Sequence, residues 1–271
     1  MPANNFVSGT VKRIWTQTHV RPTDAGDGFL IMLDNRPVTT PAMKDLVTPT
    51  RALAEIVAAE WAAEGPDITP DQLMATRICN AAIDRTDSVR EEVTAAMLEY
   101  AESDLLCYRD PGENLCRRQA QSWDPVLDWA ERALSAPLKV TRGVIPVTQP
   151  SGSLAALRRQ IESRDVFLLL ALQHLVTPLG SLLLALAVFH GFLSPDTAWR
   201  ASNLDEDWQA ESWGVDPEAA ARAKARESDF MLAVRILRAL MPVGRQCGNR
   251  TADRVSTIRA GGLRHRNVRV L

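Results

Sequence analysis

The chain has 271 residues, 46% of them hydrophobic and 24% charged, with a formal net charge of −2. That composition excludes a disordered, fibrous or disulfide-stapled chain, and the length is enough for a full hydrophobic core in one or two domains. Cys79, Cys107, Cys116 and Cys247 have no metal-ligand spacing and follow no secretory signal core, so reduced thiols are expected.

From Val7 to Thr40 the pattern has period two. Val11, Arg13, Trp15 and Gln17 alternate with Lys12, Ile14 and Thr16, and Phe29–Leu33 follows a turn at Gly26–Gly28. Asp34-Asn35 between extended runs predicts a hairpin, while Pro37 and Pro41 confine the later part of this region to an edge or a turn. Helical signals begin at Thr48-Pro49, with Leu53, Ile56, Val57 and Trp61 at helical spacing. A second helix is predicted over 71–82 and a third over 87–108. A fourth, over about 113–135, should kink or restart at Pro125. Residues 137–149 are β-like, with Gly143 at a turn, and predict a hairpin or extended excursion. Ser153 is the expected cap of the helix that leads to residue 164.

Between Asp165 and Asp196 no side chain is charged. The stretch is long enough to span a bilayer, but Gln173, His174, Thr177, Pro178, Gly180 and Ser181 lie at its middle, where polar groups cost most. Two buried helices broken at Thr177–Gly180 are the better reading, with His174 and His190 as core histidines. Ser194-Pro195 then starts a helix that carries LDEDWQAESWG, and a final helix covers about 216–240. These elements predict an α+β fold: a small N-terminal antiparallel β domain (1–47), a larger helical domain (48–241) and a basic tail (242–271). The tail holds seven arginines against Asp253, so it carries +6 and leaves −8 for the remainder.

Motifs for chemistry are missing. The chain lacks a Gly-rich phosphate loop, H-E-x-x-H, paired C-x-x-C and a G-x-S-x-G elbow, so neither an enzyme nor a cofactor is expected. The unusual run is 205–214. Asp205, Glu206, Asp207 and Glu211 crowd four carboxylates into seven positions beside Trp208 and Trp213. Such a face suits a partner offering basic groups around an apolar centre. The competing reading puts both tryptophans in the core and leaves the carboxylates as a solvated face.

Seven blocks in order carry a family resemblance: Leu33–Ala42, Ala59-Glu60-Trp61, Cys79–Asp84, Asp104–Arg109, Trp123–Ala130, Gly180–Ala187 and Glu206–Gly214. Over about residues 6–240 the chain resembles the ATP synthase assembly chaperones that bind the alpha subunit of the F-type catalytic head. The resemblance implies an ATP-independent chaperone without a catalytic site. It would shield the surface that the alpha subunit later buries against the beta subunit. Glu206, Asp207 and Glu211 would then form a charged rim, Trp208 or Trp213 an apolar anchor, and Trp61 a second candidate contact. A monomer that does not insert into membranes is expected. The amino terminus lacks the pattern of an organelle transit peptide, which points to a bacterial, cytoplasmic member of a family best known from mitochondria, or to a mature chain. The tail falls outside the resemblance; nucleic-acid binding through its arginines is the alternative reading.

Overall fold

A computed structural model describes residues 11–63, 65–69 and 72–241; the expected basic tail lies outside the described residues. The strands come first and form small antiparallel sheets. β1 (Val11–Lys12) pairs with β6 (Asp67–Ile68). β3 (Phe29–Leu33) lies between β2 (Thr18–Pro22) on one side and, on the other, β4 (Arg36–Pro37) and β5 (Val47–Thr48). The β3–β4 turn is the expected two-residue hairpin, with Asp34 at φ 52°. The Asp34 carboxylate accepts bonds from the backbone of Gln17 and Thr16 and from the Thr16 hydroxyl, and these hold its pKa below the ordinary value. At the other end of β3, a Cβ on Gly28 would fall 2.4 Å from Val47 Cγ1, so only glycine lets β5 close on the sheet.

Helices cover the inner face of this layer. α1 (Arg51–Ala63) packs on β2 and β3, and the Thr50 hydroxyl, not the Thr48-Pro49 pair, accepts its first amide bond, from Leu53. α2 (Met74–Asp84) begins at Met74, later than expected. α3 (Thr86–Glu102) stops short of the predicted end at 108. A 3-10 turn (Leu105–Cys107) and the two-residue β7 (Tyr108–Arg109) replace its last turns, because Asp104 turns the chain by accepting the Leu106 amide. α4 (Glu113–Leu134) runs through Pro125 without a restart. Pro125 and Gln121, whose carbonyl the ring deprives of a donor, are both exposed, so water can take the donor's place, while buried Trp123 and Val126 hold the turns on either side.

The excursion over 137–149 is not a hairpin. Its strand β8 (Thr141–Arg142) pairs in parallel with β7, and the Gln149 side chain clasps the loop shut by bonding both backbone polar groups of Lys139. α5 (Ser151–Glu162) begins after Pro150; Ser153 donates to the Pro137 carbonyl and does not cap the helix.

The uncharged stretch forms α6 (Val166–Leu179) and α7 (Leu182–Phe189). All eight residues of α7 are buried, and α6 packs against α2, α3, α7 and α10 (Pro217–Leu240). The break falls slightly later than expected. Pro178 is tolerated in the last turn of α6; Gly180 at φ 60° and the Ser181 cap, which accepts the Leu184 amide, separate the helices. Among the described residues no helix is long and apolar enough to cross a membrane. His174 is half-buried, but His190 is exposed and packs on Trp129 and Phe189, contrary to the core placement expected for it.

This strand-then-helix order is the α+β class that the sequence predicts. One apolar cluster nevertheless runs from Trp15, Ile31 and Leu46 through Trp61 to α6, α7 and Leu237, with no gap at residue 47.

Candidate functional site

The acidic run occupies a helix of its own. α8 (Pro195–Ser202) starts as expected, with the Ser194 hydroxyl accepting the Thr197 amide, but it ends at Asn203, whose side-chain amide donates to the Trp199 carbonyl. α9 (Leu204–Trp213) follows, and none of its residues is buried. An amphipathic surface helix would bury a stripe. This one lies against the body through Leu204, which is partly buried against the core, and otherwise mainly through polar and aromatic side chains.

Two arginines distant in sequence hold it there. Arg226 of α10 binds Glu206 at 2.6 Å and also donates to Asn203 Oδ1. Arg118 of α4 binds Glu211 at 2.8 Å, and its guanidinium lies 4.9 Å from the centre of the Trp208 ring. Gln119 completes the attachment: its amide donates to Asp205 at 2.8 Å while its oxygen accepts the Asp110 amide at 2.7 Å. Asp207 is left between Glu206 and Glu211. Partial burial first, then the two neighbouring carboxylates, push its pKa up, against the opposing field of Arg118. Asp205 is also pushed up, chiefly by burial.

The tryptophans divide. Trp208 is half-covered under Arg118, whereas Trp213, at the last helical position, is 80% exposed. Gly214 at φ 92° then turns the chain away, and Val215 follows at 69% exposure. A cleft of about 560 Å³ separates α9 from the first turns of α10 and is lined by Trp199, Asp207, Ala210, Val215, Ala220 and Ala223 among others. Chemically the arrangement offers carboxylates at a rim, a flat aromatic surface and a shallow groove. It can dock a polypeptide.

The sequence-predicted residues 206–213 therefore come together on one exposed helix, and neither tryptophan fills the core. Trp61 does not join them. It is fully buried, packs against Trp15 in a tilted arrangement with ring centres 5.4 Å apart and donates its indole N–H to the Thr76 hydroxyl, so its place is structural. Sequence reasoning missed Arg118, Gln119 and Arg226, since nothing in local spacing ties them to the acidic helix. Among the described residues no three His, Cys, Asp or Glu side chains converge as a metal site.

Comparison with known proteins agrees with this architecture. Residues 12–131 match the model of the ATP12 chaperone protein family. The mitochondrial protein atp12 of Schizosaccharomyces pombe is 23% identical over 216 residues, covering 75% of this chain and 74% of the yeast protein. The crystal structure of Atp12 from Paracoccus denitrificans is 40% identical with a TM-score of 0.77, across 85% of this chain and 98% of that one. The Atu1473 protein of Agrobacterium tumefaciens is 39% identical with a TM-score of 0.80, covering 86% and 87% respectively. With two-fifths identity over nearly the whole of a solved relative, the chain belongs to the ATP12 chaperone family, whose members serve ATP synthase assembly and are not enzymes.

Proposed function

We propose that this chaperone binds the free alpha subunit of the F-type catalytic head, in the bacterial cytoplasm and as a monomer, through the exposed face of α9. The observation that carries the reading is Trp213, a large aromatic left in solvent at the end of a helix crowded with carboxylates. Exposed aromatics of this kind anchor partner proteins, and surrounding charges set approach and register. A subunit surface destined for an obligate interface is broad and apolar, and free in solution it is an aggregation hazard. A holdase must cover that surface yet bind it less tightly than the final partner, so that exchange runs downhill.

The direct test is suppression of alpha-subunit aggregation at stoichiometric ratio, with isolation of the complex. The reading fails if neither is seen. A narrower test is Glu211→Lys, which breaks the Arg118 pair and reverses the rim charge. Binding is expected to weaken about tenfold or more while the fold survives, since exposed ion pairs contribute only about 0–1 kcal/mol to stability.

A further inference from the structure

A second exposed apolar feature stands on the excursion over 137–149. Val144 is 91% exposed and Ile145 75%, with Pro146 exposed beside them, so this tip is as open to water as Trp213. The structural contacts lie at its base, where Leu138 packs against the core, β8 pairs with β7, and Gln149 closes the loop on Lys139. The tip is thus held out from the body and adds nothing to the core. Single scattered apolar residues on a surface need no explanation, but adjacent ones held in a fixed place are the material of a contact.

Its charge is the reverse of that on α9. From 132 to 161 the chain carries Arg132, Lys139, Arg142, Arg158 and Arg159 and no carboxylate. Lys139 and Arg142, before the tip, are exposed and in no ion pair among the described residues. On the neighbouring β7 side, Asp110 accepts the Gly112 amide and Asp124 is paired with Arg109.

Position and area tie the two features together. The Gly143 amide donates to the Arg109 carbonyl, the Asp110 amide donates to Gln119, and Gln119 donates to Asp205 at the start of α9. Along those bonds the start of the tip lies within about 13 Å of the Asp205 carboxylate. The helix adds about 12 Å from Asp205 to Trp213, so both features fall within roughly 30 Å. A stable interface takes about 800 Å² and 20–30 residues from each partner, a patch roughly 30 Å across. The ten residues of α9 cannot supply that alone.

We propose that the 137–149 excursion is the second contact for the client that α9 binds. Val144 and Ile145 enter an apolar part of the client surface, and Lys139 and Arg142 meet carboxylates beside it. The proposal rests on the alpha subunit being the client of α9. Two poles of opposite charge fix the direction in which the client lies, which one acidic helix does not.

The test measures alpha-subunit affinity for the full chain, for Trp213→Ala and for the double variant Val144→Ser, Ile145→Ser. Each variant is expected to bind about tenfold more weakly with an unchanged melting temperature. Lys139→Glu with Arg142→Glu should slow association several-fold at low salt and have little effect at high salt. A photo-cross-linking phenylalanine analogue in place of Ile145 should give adducts with the alpha subunit. If Trp213→Ala weakens binding while the double variant binds like the full chain and position 145 gives no adduct, the proposal is overturned and the α9 reading stands. If only the double variant loses affinity, the α9 reading falls and the two-point contact with it. A full chain that binds no alpha subunit sinks both. Unchanged client affinity with lost binding to anionic phosphatidylglycerol vesicles in the double variant makes the tip a lipid contact, which also overturns the proposal.

Discussion

Single residues divide here into those that hold the fold and those left in solvent, and burial tells them apart. Trp61→Ala removes a fully buried indole with its bond to Thr76, and about 3–5 kcal/mol of stability should go with it, read as a lower urea midpoint. Trp213→Ala removes a side chain that touches little, so stability should stay within about 0.5 kcal/mol while client affinity falls. Asp104 is a third kind. It is wholly buried, accepts the amides of Leu106 and Leu183, and burial pushes its pKa up to about 6 despite those bonds. Its folded pKa lies above the value of 3.8 it would have unfolded, so the folded state binds the proton more tightly. The stabilisation from that proton is present below about pH 4 and is lost as pH rises through about 6, an amount on the order of 3 kcal/mol. In thermal melts the Asp104→Asn variant should lack this component of the pH dependence between 4 and 6; an unchanged slope there would assign it to other groups.

Elements are bounded by particular residues, and those boundaries explain both the successes and the misses of periodicity. Ser194, Asp165 and Asp216 each accept an amide in the first turn of the helix they precede, the local chemistry that capping rules describe. Pro125 and Pro178 break no helix, because a proline ring on an exposed face or in a final turn deprives few buried carbonyls. The α6–α7 junction depends instead on Gly180 in the left-handed region and on Ser181. Gly180→Ala should destabilise by about 1 kcal/mol through backbone strain, and Ser181→Ala by about the same through the lost cap, both measurable by chemical denaturation. The parallel pairing of β7 with β8 was illegible, since two-residue strands that join Tyr108 to Thr141, 33 positions on, leave no period.

At the scale of the molecule, sheet and helices share one core: α1 sits on β2 and β3 and also touches α2 and α10. Far-UV and near-UV signals are therefore expected to melt together in a single transition, whereas two separable transitions would show that the N-terminal β domain folds independently. The α+β class, the buried helix pair and the concentration of charge and tryptophan at 205–213 were determined by the sequence alone, because each depends on composition or spacing within one segment. Only the tertiary structure decided which tryptophans face water. Burial depends on what other segments cover, and the residues that place α9 lie 88 positions before Glu206 in Arg118 and 20 after it in Arg226. Hydrophobicity marks a side chain as able to be buried, but long-range contacts determine whether it is.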